Sequence, residues 1–589
     1  MFRTCNITVL VYYNLYRMYT LGLNLYHADC SASIFHNSEL VAAAEEERFL
    51  RKKHWAGIPF NSINFCLKSC SIEINDVDVI TVNSNLYSNI LSKVAYLIKN
   101  PNLSLLSSAL KRRRKKESLQ ILLGQYFKTK KKFKIVKIDH HLSHIASAYF
   151  PSGFKDCLSI SIDGFGDFCS IVISYCNDGK IKILKKIKFP NSLGVFYEGI
   201  TQTLGFKNYG DEYKVMGLAP YGKAIYYDLL SELFVKKTLD LNLEYFNHDK
   251  KNFTYNFEGI PNQSNLISDK FILRIKKELE KNNETIQSNK NLAFSAQKIF
   301  EEKVFLLFEE KFLKFSKNLT LSGGCSMNSS CNGKIYKKNI FENIFIPPAP
   351  GDAGGAIGSS LFYLKKKFKP NQFKNINNPF LGPSYKNSEI KKLIEKNDKL
   401  LNFKIYYYDD SELEKKIANY LSKGDKVIGW FQGSMEFGPR ALGNRSILSD
   451  PRNSNMKDII NSKIKLRENF RPFAPSILDE YKYDWFHFNA NSDYMSFVAD
   501  VREEKRNIIP AVTHVDGTGR LQTVKKHVSK KFYNLINEFN NLTKVPILLN
   551  TSFNENEPIV QHPDEAIGTF LRTKMDALVL ENHCIFRSE

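Results

Sequence analysis

Long hydrophobic runs and paired cysteines are both missing from this sequence of 589 residues. No stretch of 18 or more apolar residues occurs, so we do not expect a helix that spans a membrane. The apolar stretch 7–16 contains Asn14 and is followed by no small-residue cleavage site, so a signal peptide is not expected either. The ten cysteines are scattered without a C-x-x-C pair, which fits a reduced, cytoplasmic compartment.

Residues 1–17 are expected to be an extension that is not native to the protein. Met18 immediately precedes a strand-like run from Tyr19 to Tyr26, where the regular pattern of the chain begins. A start at Met18 therefore accounts for the sequence better than a start at Met1.

Acidic residues are too few to balance the lysines, and the formal net charge is +23. The lysines are accompanied by many asparagine, isoleucine, phenylalanine and tyrosine residues, which AT-rich codons specify. The densest basic block, residues 111–116, is predicted to lie on an exposed helix, and a second basic run follows at 128–134. A solvated face is favoured over contact with an anionic partner. We therefore expect neither nucleic acid nor a membrane as a partner.

Length and patterning predict an α/β protein with more than one domain. A chain of 589 residues is too long for one hydrophobic core, and 43% of its residues are hydrophobic, as in folded proteins. Two strand-rich blocks, beginning near Leu21 and near Lys134, predict a duplicated domain with a cleft between its halves. The proline-marked segment 365–399 is the predicted linker between a first domain, 18–364, and a second, 400–589.

Two histidines, His140 and His144, stand four positions apart in the sequence. On a helix they project from the same face, which suits two ligands of one metal ion, although structural histidine pairs are as common. Asp163 ends an apolar strand and Asp352 precedes a predicted helix, so each could add an oxygen ligand. Mixed nitrogen and oxygen ligation favours Fe(II), Mn(II) or Zn(II). His141 points elsewhere on such a helix and is left out of the set.

Glycine turns near these residues predict a nucleotide site. Gly164 and Gly166 follow Asp163, and their missing side chains let backbone amides approach phosphate oxygens. The order of three tracts resembles that of the actin-like ATPase superfamily; the tracts are residues 21–33, 160–166 and 319–324. The first two resemble its phosphate loops, and the third resembles its adenosine-binding strand with a glycine pair. The nucleotide-binding residues predicted from this third tract and its sequel are Gly323, Gly324 and Asn328.

A second group of candidate residues lies in the C-terminal part of the chain. Arg440 and Arg445 stand among glycine and proline turns, so the backbone is pinned and the guanidinium fork can be aimed. Asn550 and Ser552 follow a buried strand at its carboxyl end, where open α/β sheets bind ligands. The residues predicted to neutralise a triphosphate and a second phosphorylated substrate are Arg440, Arg445, Lys465, Arg471 and Arg520. Surface salt bridges are the alternative for these arginines.

Five tracts carry a more specific family resemblance, and they are residues 26–32, 45–49, 211–222, 322–325 and 438–443. Through them the chain, from Met18 to its C-terminus, resembles the O-carbamoyltransferases of nodulation-factor and antibiotic biosynthesis. The resemblance implies an N-terminal actin-like domain related to the tRNA threonylcarbamoyl-transfer enzymes, followed by a YrdC-like α/β domain.

The same resemblance implies a reaction in two steps. Carbamoyl phosphate and ATP would form carbamoyl-adenylate in the second domain, with release of pyrophosphate and phosphate. The first domain would transfer the carbamoyl group to a hydroxyl of a small-molecule or glycan acceptor, and AMP would leave. This route agrees with elementary chemistry, because carbamate is a poor electrophile and adenylation supplies a good leaving group.

The resemblance assigns roles residue by residue. Carbamoyl phosphate and ATP would be held by Arg440, Arg445, Lys465, Arg471, Arg520, Asn550 and Ser552. The ligands of Fe(II) would be His140, His144, Asp163 and Asp352. Mg²⁺ is expected to accompany ATP, although Asn24 stands where actin-like relatives often carry aspartate. The acceptor hydroxyl needs a base, for which we choose His27 in the first loop.

Three other functions stay open at this point. A tRNA threonylcarbamoyladenosine-type enzyme shares both folds and would need threonine, bicarbonate and tRNA. A sugar kinase of the actin-like class would release ADP instead of AMP. A nonenzymatic basic binding protein would hold nucleic acid at about 200 mM salt without turning over ATP. The acceptor itself is also open, from oligosaccharides and glycans to aminoglycosides and cephem-like scaffolds.

Overall fold

The computed structural model describes residues 17–100, 118–250, 253–256, 258–281 and 285–587. Most of the predicted extension, residues 1–16, and the basic block 111–116 lie outside this described part. None of the helices in the described ranges combines the length and the apolar character that crossing a bilayer requires.

The described chain alternates between strands and helices from its beginning to its end. The strands are β1 (Tyr19–Asn24), β2 (Ser31–His36), β3 (Glu39–Glu45), β4 (Val79–Val82), β5 (Lys134–Lys137), β6 (Asp156–Gly166), β7 (Cys169–Asn177), β8 (Lys180–Lys188), β9 (Tyr255–Asn256), β10 (Asn262–Gln263), β11 (Asn318–Ser322), β12 (Asn343–Phe345), β13 (Lys404–Tyr407), β14 (Val427–Phe431), β15 (Arg445–Ser449), β16 (Ala474–Leu478), β17 (Phe497–Asp500), β18 (Thr518–Val524), β19 (Ile547–Ser552), β20 (Ala577–Leu580) and β21 (His583–Phe586). The helices are α1 (Glu46–Leu50), α2 (Phe60–Ser69), α3 (Ile90–Lys99), α4 (Leu119–Tyr126), α5 (His140–Ser152), α6 (Leu193–Thr203), α7 (Glu212–Leu218), α8 (Tyr227–Ser231), α9 (Asp269–Lys281), α10 (Thr285–Phe305), α11 (Glu310–Leu313), α12 (Ser329–Lys337), α13 (Gly355–Leu364), α14 (Asn387–Glu395), α15 (Asp410–Leu421), α16 (Met456–Ile460), α17 (Lys482–Trp485), α18 (Glu503–Arg506), α19 (Lys530–Thr543) and α20 (Pro563–Arg572).

Two five-stranded sheets in the first part of the chain have the same topology. Their strand orders are β3-β2-β1-β4-β5 and β8-β7-β6-β11-β12. In each sheet three consecutive strands form an antiparallel meander, and two further strands continue it in parallel. The predicted duplicated, actin-like fold is therefore confirmed.

Helices α5 and α13 pack against each other between these sheets. Gly358 of α13 lies so close to α5 that a Cβ atom would meet the carbonyl oxygen of Ser143 at 1.9 Å. Gly22 of β1 approaches the carbonyl oxygen of Ala356 in the same way, at 2.0 Å. Because any side chain would force these elements apart, the glycines allow the close packing that holds the N-terminus of α5 between the two sheets.

The C-terminal part of the chain forms a second α/β domain around a nine-stranded sheet. Its strand order is β13-β21-β20-β14-β15-β19-β16-β18-β17, with parallel and antiparallel pairs mixed. Helices α15 and α19 pack against each other, and α19 also contacts β16 and β19. This is the α/β domain that the YrdC-like resemblance predicted.

Segment 365–399, the predicted linker, makes backbone hydrogen bonds to both domains. Leu40 donates to Lys374 on one side (3.1 Å), and Phe437 donates to Pro379 on the other (2.7 Å). Two arginines that follow β3 add further bonds between the domains. Arg48 donates to the carbonyl of Gly438 (2.8 Å), and Arg51 donates to those of Ile559 and Pro558 (2.7 and 2.5 Å). The boundaries 364, 399 and 400 stay predictions, but the two domains are firmly joined.

Candidate active site

Four polar side chains converge in the first domain. The Nε2 atoms of His140 and His144 lie 3.0 Å apart, and both contact Oδ2 of Asp163, at 2.9 and 3.2 Å. Oδ1 of Asp352 completes the group, 3.3 Å from His144 and 3.5 Å from His140. One atom from each of the four lies within 4.8 Å of the other three. The structure thus brings together the four residues that the sequence predicted as metal ligands.

Local structure explains why these side chains meet. Helix α5 begins at His140, where the side chain of Asp139 caps the helix by accepting from the amide of Leu142 (3.1 Å). His144 then follows one turn later on the same face. Asp163 lies near the end of β6, and its Oδ1 accepts from the amide of Gly324 (3.0 Å). The helix terminus, the strand end and the glycine turn therefore fix three different sides of the cluster.

The four side chains of the cluster shift one another's pKa values. Burial disfavours the charged imidazoles, but the attraction of Asp163 and Asp352 outweighs it and raises the pKa of His144 to about 9. The pKa of His140 is also raised against the effect of burial. The same bonds hold the pKa of Asp163 well below its usual range despite burial, whereas burial and the charge of Asp163 raise the pKa of Asp352. Because ligands must shed protons to bind a metal, protons and a cation compete for this cluster.

His27 and His141 lie on either side of the group. Nδ1 of His27 is 3.7 Å from Oδ2 of Asp352, and its ring centre is 5.2 Å from that of His140. His141 is turned away, since its ring nitrogens contact Oγ of Ser161 (2.9 Å) and the carbonyl of Cys169 (3.0 Å). The position of His27 suits the role of acceptor base that was predicted for it.

The predicted nucleotide-binding glycines divide into two kinds. Gly164 and Gly324 line a cavity of about 430 Å³ beside the cluster. Gly166 does not line it; a Cβ atom there would lie 1.9 Å from the ring of His140. Gly323 has a φ of +85°, and its Cβ would lie 2.2 Å from the carbonyl of Ile162. Gly166 and Gly323 therefore serve close packing of the site, which differs from the predicted contact with phosphate.

Asn328 also lines the cavity. Its Oδ1 caps helix α12 by accepting from the amide of Cys331 (3.0 Å). Its amide nitrogen donates to Oε1 of Gln297 (3.0 Å). The side chain is thus held in one orientation at the wall of the cavity.

Basic residues of the second domain line the same cavity. Lys465 ends a π-helical turn, Asn461–Lys465, and is 1% exposed. Its ammonium donates to neutral oxygens only among the described residues, including the carbonyls of Ser552 (2.6 Å) and Asn554 (2.8 Å). Burial and the neighbouring Arg467 lower the pKa of Lys465 well below its usual value. A buried cation without a carboxylate partner is a ready site for an anion.

Three further predicted arginines, Arg440, Arg471 and Arg520, line the same cavity. Arg440 has no hydrogen-bond or ion-pair partner in the described part of the chain, and burial lowers its pKa to about 10. Arg520 reaches across to the first domain, where Nε donates to Oγ of Ser329 (3.0 Å). Burial, with Arg440 nearby, lowers the pKa of Arg520. Arg471 donates to the hydroxyl of Tyr213 (2.7 Å) and pairs with Glu468 (3.2 Å).

Asn550 and Ser552 stand at the carboxyl end of β19, as predicted, and both line the cavity. The amide of Asn550 donates to Oγ of Ser476 (3.1 Å) and Oε1 of Gln522 (3.0 Å), while its own Oδ1 is buried without a partner among the described residues. Ser552 bonds to both Lys465 and Asn554.

The position of the Arg445 side chain differs from the prediction. Its side chain is fully buried in β15 and does not line the cavity. The guanidinium donates to the backbone carbonyls of Gln432 (2.6 Å), Asn444 (2.9 Å), Pro383 (2.9 Å) and Gly433 (3.0 Å). It also lies 3.6 Å above the ring of Phe431. Because both terminal nitrogens of Arg445 bond to backbone carbonyls and its side chain does not reach the cavity, Arg445 holds the loops around Arg440 and does not serve as the predicted substrate ligand.

Sequence reasoning missed other cations of the cavity. Lys53, Lys457 and Arg467 all line it. Nη2 of Arg467 is buried without a partner among the described residues, and burial and Arg471 lower its pKa to about 9. The sequence held signals for two of them, because Arg467 follows Lys465 by two residues and Lys53 follows the end of the tract 45–49 by four residues.

An acidic group of the first domain also lines the cavity, and it has cationic partners of its own. Asp29, Glu47 and His54 line the cavity. Nδ1 of His54 contacts Oδ1 of Asp29 (2.8 Å), and Arg48 pairs with Glu47 (2.7 Å). The attraction of Asp29 outweighs burial and raises the pKa of His54 to about 9. An internal cation, Arg48, therefore already neutralises this group.

Comparison with known proteins identifies the family. A family model described as carbamoyltransferase N-terminus matches residues 19–361, and one described as carbamoyltransferase C-terminus matches residues 418–587. The chain belongs to the carbamoyltransferase family. The first matched part contains the histidine-aspartate cluster, which is His140, His144, Asp163 and Asp352. The second contains the basic cluster, which is Arg440, Lys465, Arg467, Arg471 and Arg520. The chain is a carbamoyltransferase enzyme.

Relatives extend the same similarity over most of this carbamoyltransferase. An uncharacterized protein of Synechocystis sp. is 36% identical over 616 residues, which cover 96% of each chain. The nodulation protein NolNO of Sinorhizobium fredii is 36% identical, covering 95% of this chain and 79% of that protein. The nodulation protein NolO of Bradyrhizobium diazoefficiens is 39% identical, covering 75% of this chain and 78% of that protein. The predicted resemblance to carbamoyltransferases is therefore confirmed.

Proposed function

We propose that this carbamoyltransferase is an ATP-dependent O-carbamoyltransferase that forms carbamoyl-adenylate from carbamoyl phosphate and ATP. It then transfers the carbamoyl group to a hydroxyl of a sugar or another small-molecule acceptor. The observation that carries the proposal is the single cavity, whose wall includes Asp163 and Asp352 on one side and Lys465, Arg440 and Arg520 on the other. A labile intermediate made at the basic side can reach the acceptor side without leaving the protein.

The basic cluster suits the first step. Lys465 is buried, Arg440 and Arg467 are partly buried, and none of the three pairs with a carboxylate among the described residues, so they bind the phosphates of both substrates. Water releases phosphate from carbamoyl phosphate and leaves carbamate. A carbamate oxygen then attacks the α-phosphorus of ATP, and pyrophosphate departs. Arginine and lysine donors around the phosphates stabilise the charge that develops on the departing group.

The histidine-aspartate cluster suits a divalent cation. The two Nε2 atoms face each other at 3.0 Å, and Oδ1 of Asp352 is buried without a hydrogen-bond partner among the described residues. These are groups that a shared cation would satisfy, and their nitrogen and oxygen donors suit Fe(II), Mn(II) or Zn(II). His140, His144, Asp163 and Asp352 would hold the ion, and Mg²⁺ would accompany ATP. When bound, such an ion supplies positive charge beside the phosphate of AMP.

His27 suits the second step because its ring lies beside the cluster, next to Asp352. There it takes the proton of the acceptor hydroxyl. The hydroxyl oxygen then forms a bond to the carbamoyl carbon, and the bond from that carbon to the phosphate oxygen of AMP breaks. Gly324 and Asn328, which line the cavity, hold the nucleotide during this transfer.

Pyrophosphate release tests the proposal. The purified protein, incubated with ATP, Mg²⁺, Fe(II) and carbamoyl phosphate, is expected to release pyrophosphate, and omission of carbamoyl phosphate is expected to stop it. Release of ADP instead would identify a kinase. A requirement for threonine, bicarbonate and tRNA would identify the tRNA-modifying alternative. Either result, or silence with each of the three metals, would overturn the proposal.

A further inference from the structure

Helix α3 presents an apolar stripe to solvent. None of the ten side chains of this described helix is buried, and Leu91 and Ile98 are 84% and 76% exposed. Ile90 and Val94 are also exposed. These positions, at i, i+1, i+4 and i+8, form one continuous face. A surface helix normally turns such a face toward the core, so α3 is reversed relative to the usual arrangement.

Contacts on the other side of α3 fix this orientation. The ring of Tyr96 meets the rings of Phe168 and Phe189 edge-on, with centroid distances of 5.8 and 5.1 Å. Tyr87, in the turn just before the helix, is 59% exposed. The exposed face is therefore held outward by packing of the opposite face.

The surroundings of the stripe are basic. Residues 86–100 contain two lysines and no acidic residue, and strand β8 contains five lysines and no acidic residue. Lys186 of β8 donates to Oδ1 of Asn89 (3.0 Å) and Lys188 donates to Oγ of Ser92 (2.7 Å), so both lie beside α3. Four carboxylates near these elements offset part of this charge. Asp139 lies close to Ser88 and Lys186, and Asp249 lies close to Tyr96. Asp167 accepts from the amides of Asn85 and His140, and Glu309 pairs with Lys185 of β8.

We infer that helix α3 docks the enzyme on a membrane surface that contains anionic phospholipid. An apolar stripe one helix long, with lysines and the exposed Tyr87 nearby, matches the boundary between acyl chains and phosphate headgroups. A second copy of this chain would bring two basic surroundings together, and their repulsion disfavours it. The docking departs from the sequence-based expectation of no membrane partner. It does not depend on the proposed reaction.

Vesicle sedimentation of the full-length protein tests the inference. We expect binding to vesicles of phosphatidylcholine mixed with phosphatidylglycerol, weak binding to phosphatidylcholine alone, and loss of binding between about 0.1 and 0.5 M salt. The double variant Leu91→Glu, Ile98→Glu is expected to lower the partition coefficient at least about tenfold. The matched control is Leu401→Glu, which alters an 80% exposed leucine in another part of the fold and is expected to leave binding unchanged.

Three outcomes would overturn the inference. They are no binding to the anionic vesicles, equal binding by the double variant, and a lipid-free dimer that the double variant abolishes. The last would mean that the stripe joins two copies of the chain. Because Leu91 and Ile98 are both exposed, thermal unfolding of the variants is expected to match that of the original protein, and it serves as the folding control.

Discussion

Arg440 and Arg445 are five positions apart, yet their surroundings give them opposite roles. Arg440 lines the cavity without a bonded partner among the described residues. Arg445 donates to four backbone carbonyls and stacks on Phe431. The first arginine is available to an anion, whereas the second stabilises the loop that carries the first.

Alanine at each position separates binding from stability. Arg440→Ala is expected to lower carbamoyl phosphate-dependent pyrophosphate release by about tenfold to a hundredfold, because one charge-assisted bond is lost, while the free energy of unfolding does not fall. Arg445→Ala is expected to lower the free energy of unfolding by about 3–5 kcal/mol, since it removes four hydrogen bonds to backbone carbonyls and the contact with the ring of Phe431. Denaturant titration and the pyrophosphate assay check both. Equal stability of the two variants would contradict the assignment.

The His54–Asp29 contact makes stability depend on pH. The folded pKa of His54 is about 9, above its ordinary value, so the contact contributes fully below the unfolded pKa and is lost as pH rises through about 9. His54→Gln is therefore expected to be less stable than the original protein by about 1–3 kcal/mol at pH 6, with the gap closing near pH 10. Denaturant titrations across this range provide the measurement. A gap that stays constant with pH would contradict the account.

At the scale of elements, the end of β6 and the start of α5 form the histidine-aspartate cluster together. The ring of His140 occupies the space that a side chain at position 166 would need. At position 164, two residues earlier on the same strand, an added Cβ atom would lie in open space. Substitutions at Gly164 and Gly166 therefore offer a matched test of how β6 supports the cluster.

Gly166→Ala is expected to displace His140 and to reduce the bound metal, because its Cβ would lie 1.9 Å from the ring. Gly164→Ala is expected to keep the metal, since no atom lies within 4 Å of the added methyl group. Elemental analysis of both variants after loading with Fe(II) is the measurement. Equal metal content in the two proteins would show that β6 does not hold His140 in this way.

Helical spacing and strand ends made the cluster and the duplicated domain predictable from the sequence. His140 and His144, four positions apart on a helix, share one face. Asp163, which closes an apolar run, was expected at the end of a strand, and it lies near the end of β6. The direction of Arg445 was not predictable, because two arginines among glycine and proline turns look alike until the loops close around one of them. The packing roles of Gly166 and Gly323 were hidden for the same reason, since they depend on residues from other elements.

At the scale of the whole molecule, two domains close around one cavity. Arg520 bonds to Ser329 of the first domain, and Arg51 bonds to the segment at Pro558 and Ile559 of the second. Residues of both domains line the cavity, so an anion bound there would lie between the domains and would relieve the repulsion between Arg440 and Arg520.

ATP is expected to raise the Tm of the whole protein as a single transition. Binding to the folded state alone contributes about 2.7 kcal/mol at a ligand concentration a hundred times Kd. The shift is expected to be smaller in Arg440→Ala, because one phosphate contact is lost. Differential scanning calorimetry checks both statements. An unchanged Tm, or stabilisation of one domain with a separate transition for the other, would contradict a shared site.

Single-turnover product analysis tests the central claim, that the two clusters perform successive steps in one cavity. With carbamoyl phosphate and ATP, Asp163→Asn is expected to release pyrophosphate stoichiometrically with the enzyme but to release no AMP when acceptor is supplied. Arg440→Ala is expected to release both pyrophosphate and AMP slowly. Two results would contradict the division of the steps between the clusters. One is that Asp163→Asn releases as little pyrophosphate as Arg440→Ala, and the other is that Arg440→Ala releases pyrophosphate normally.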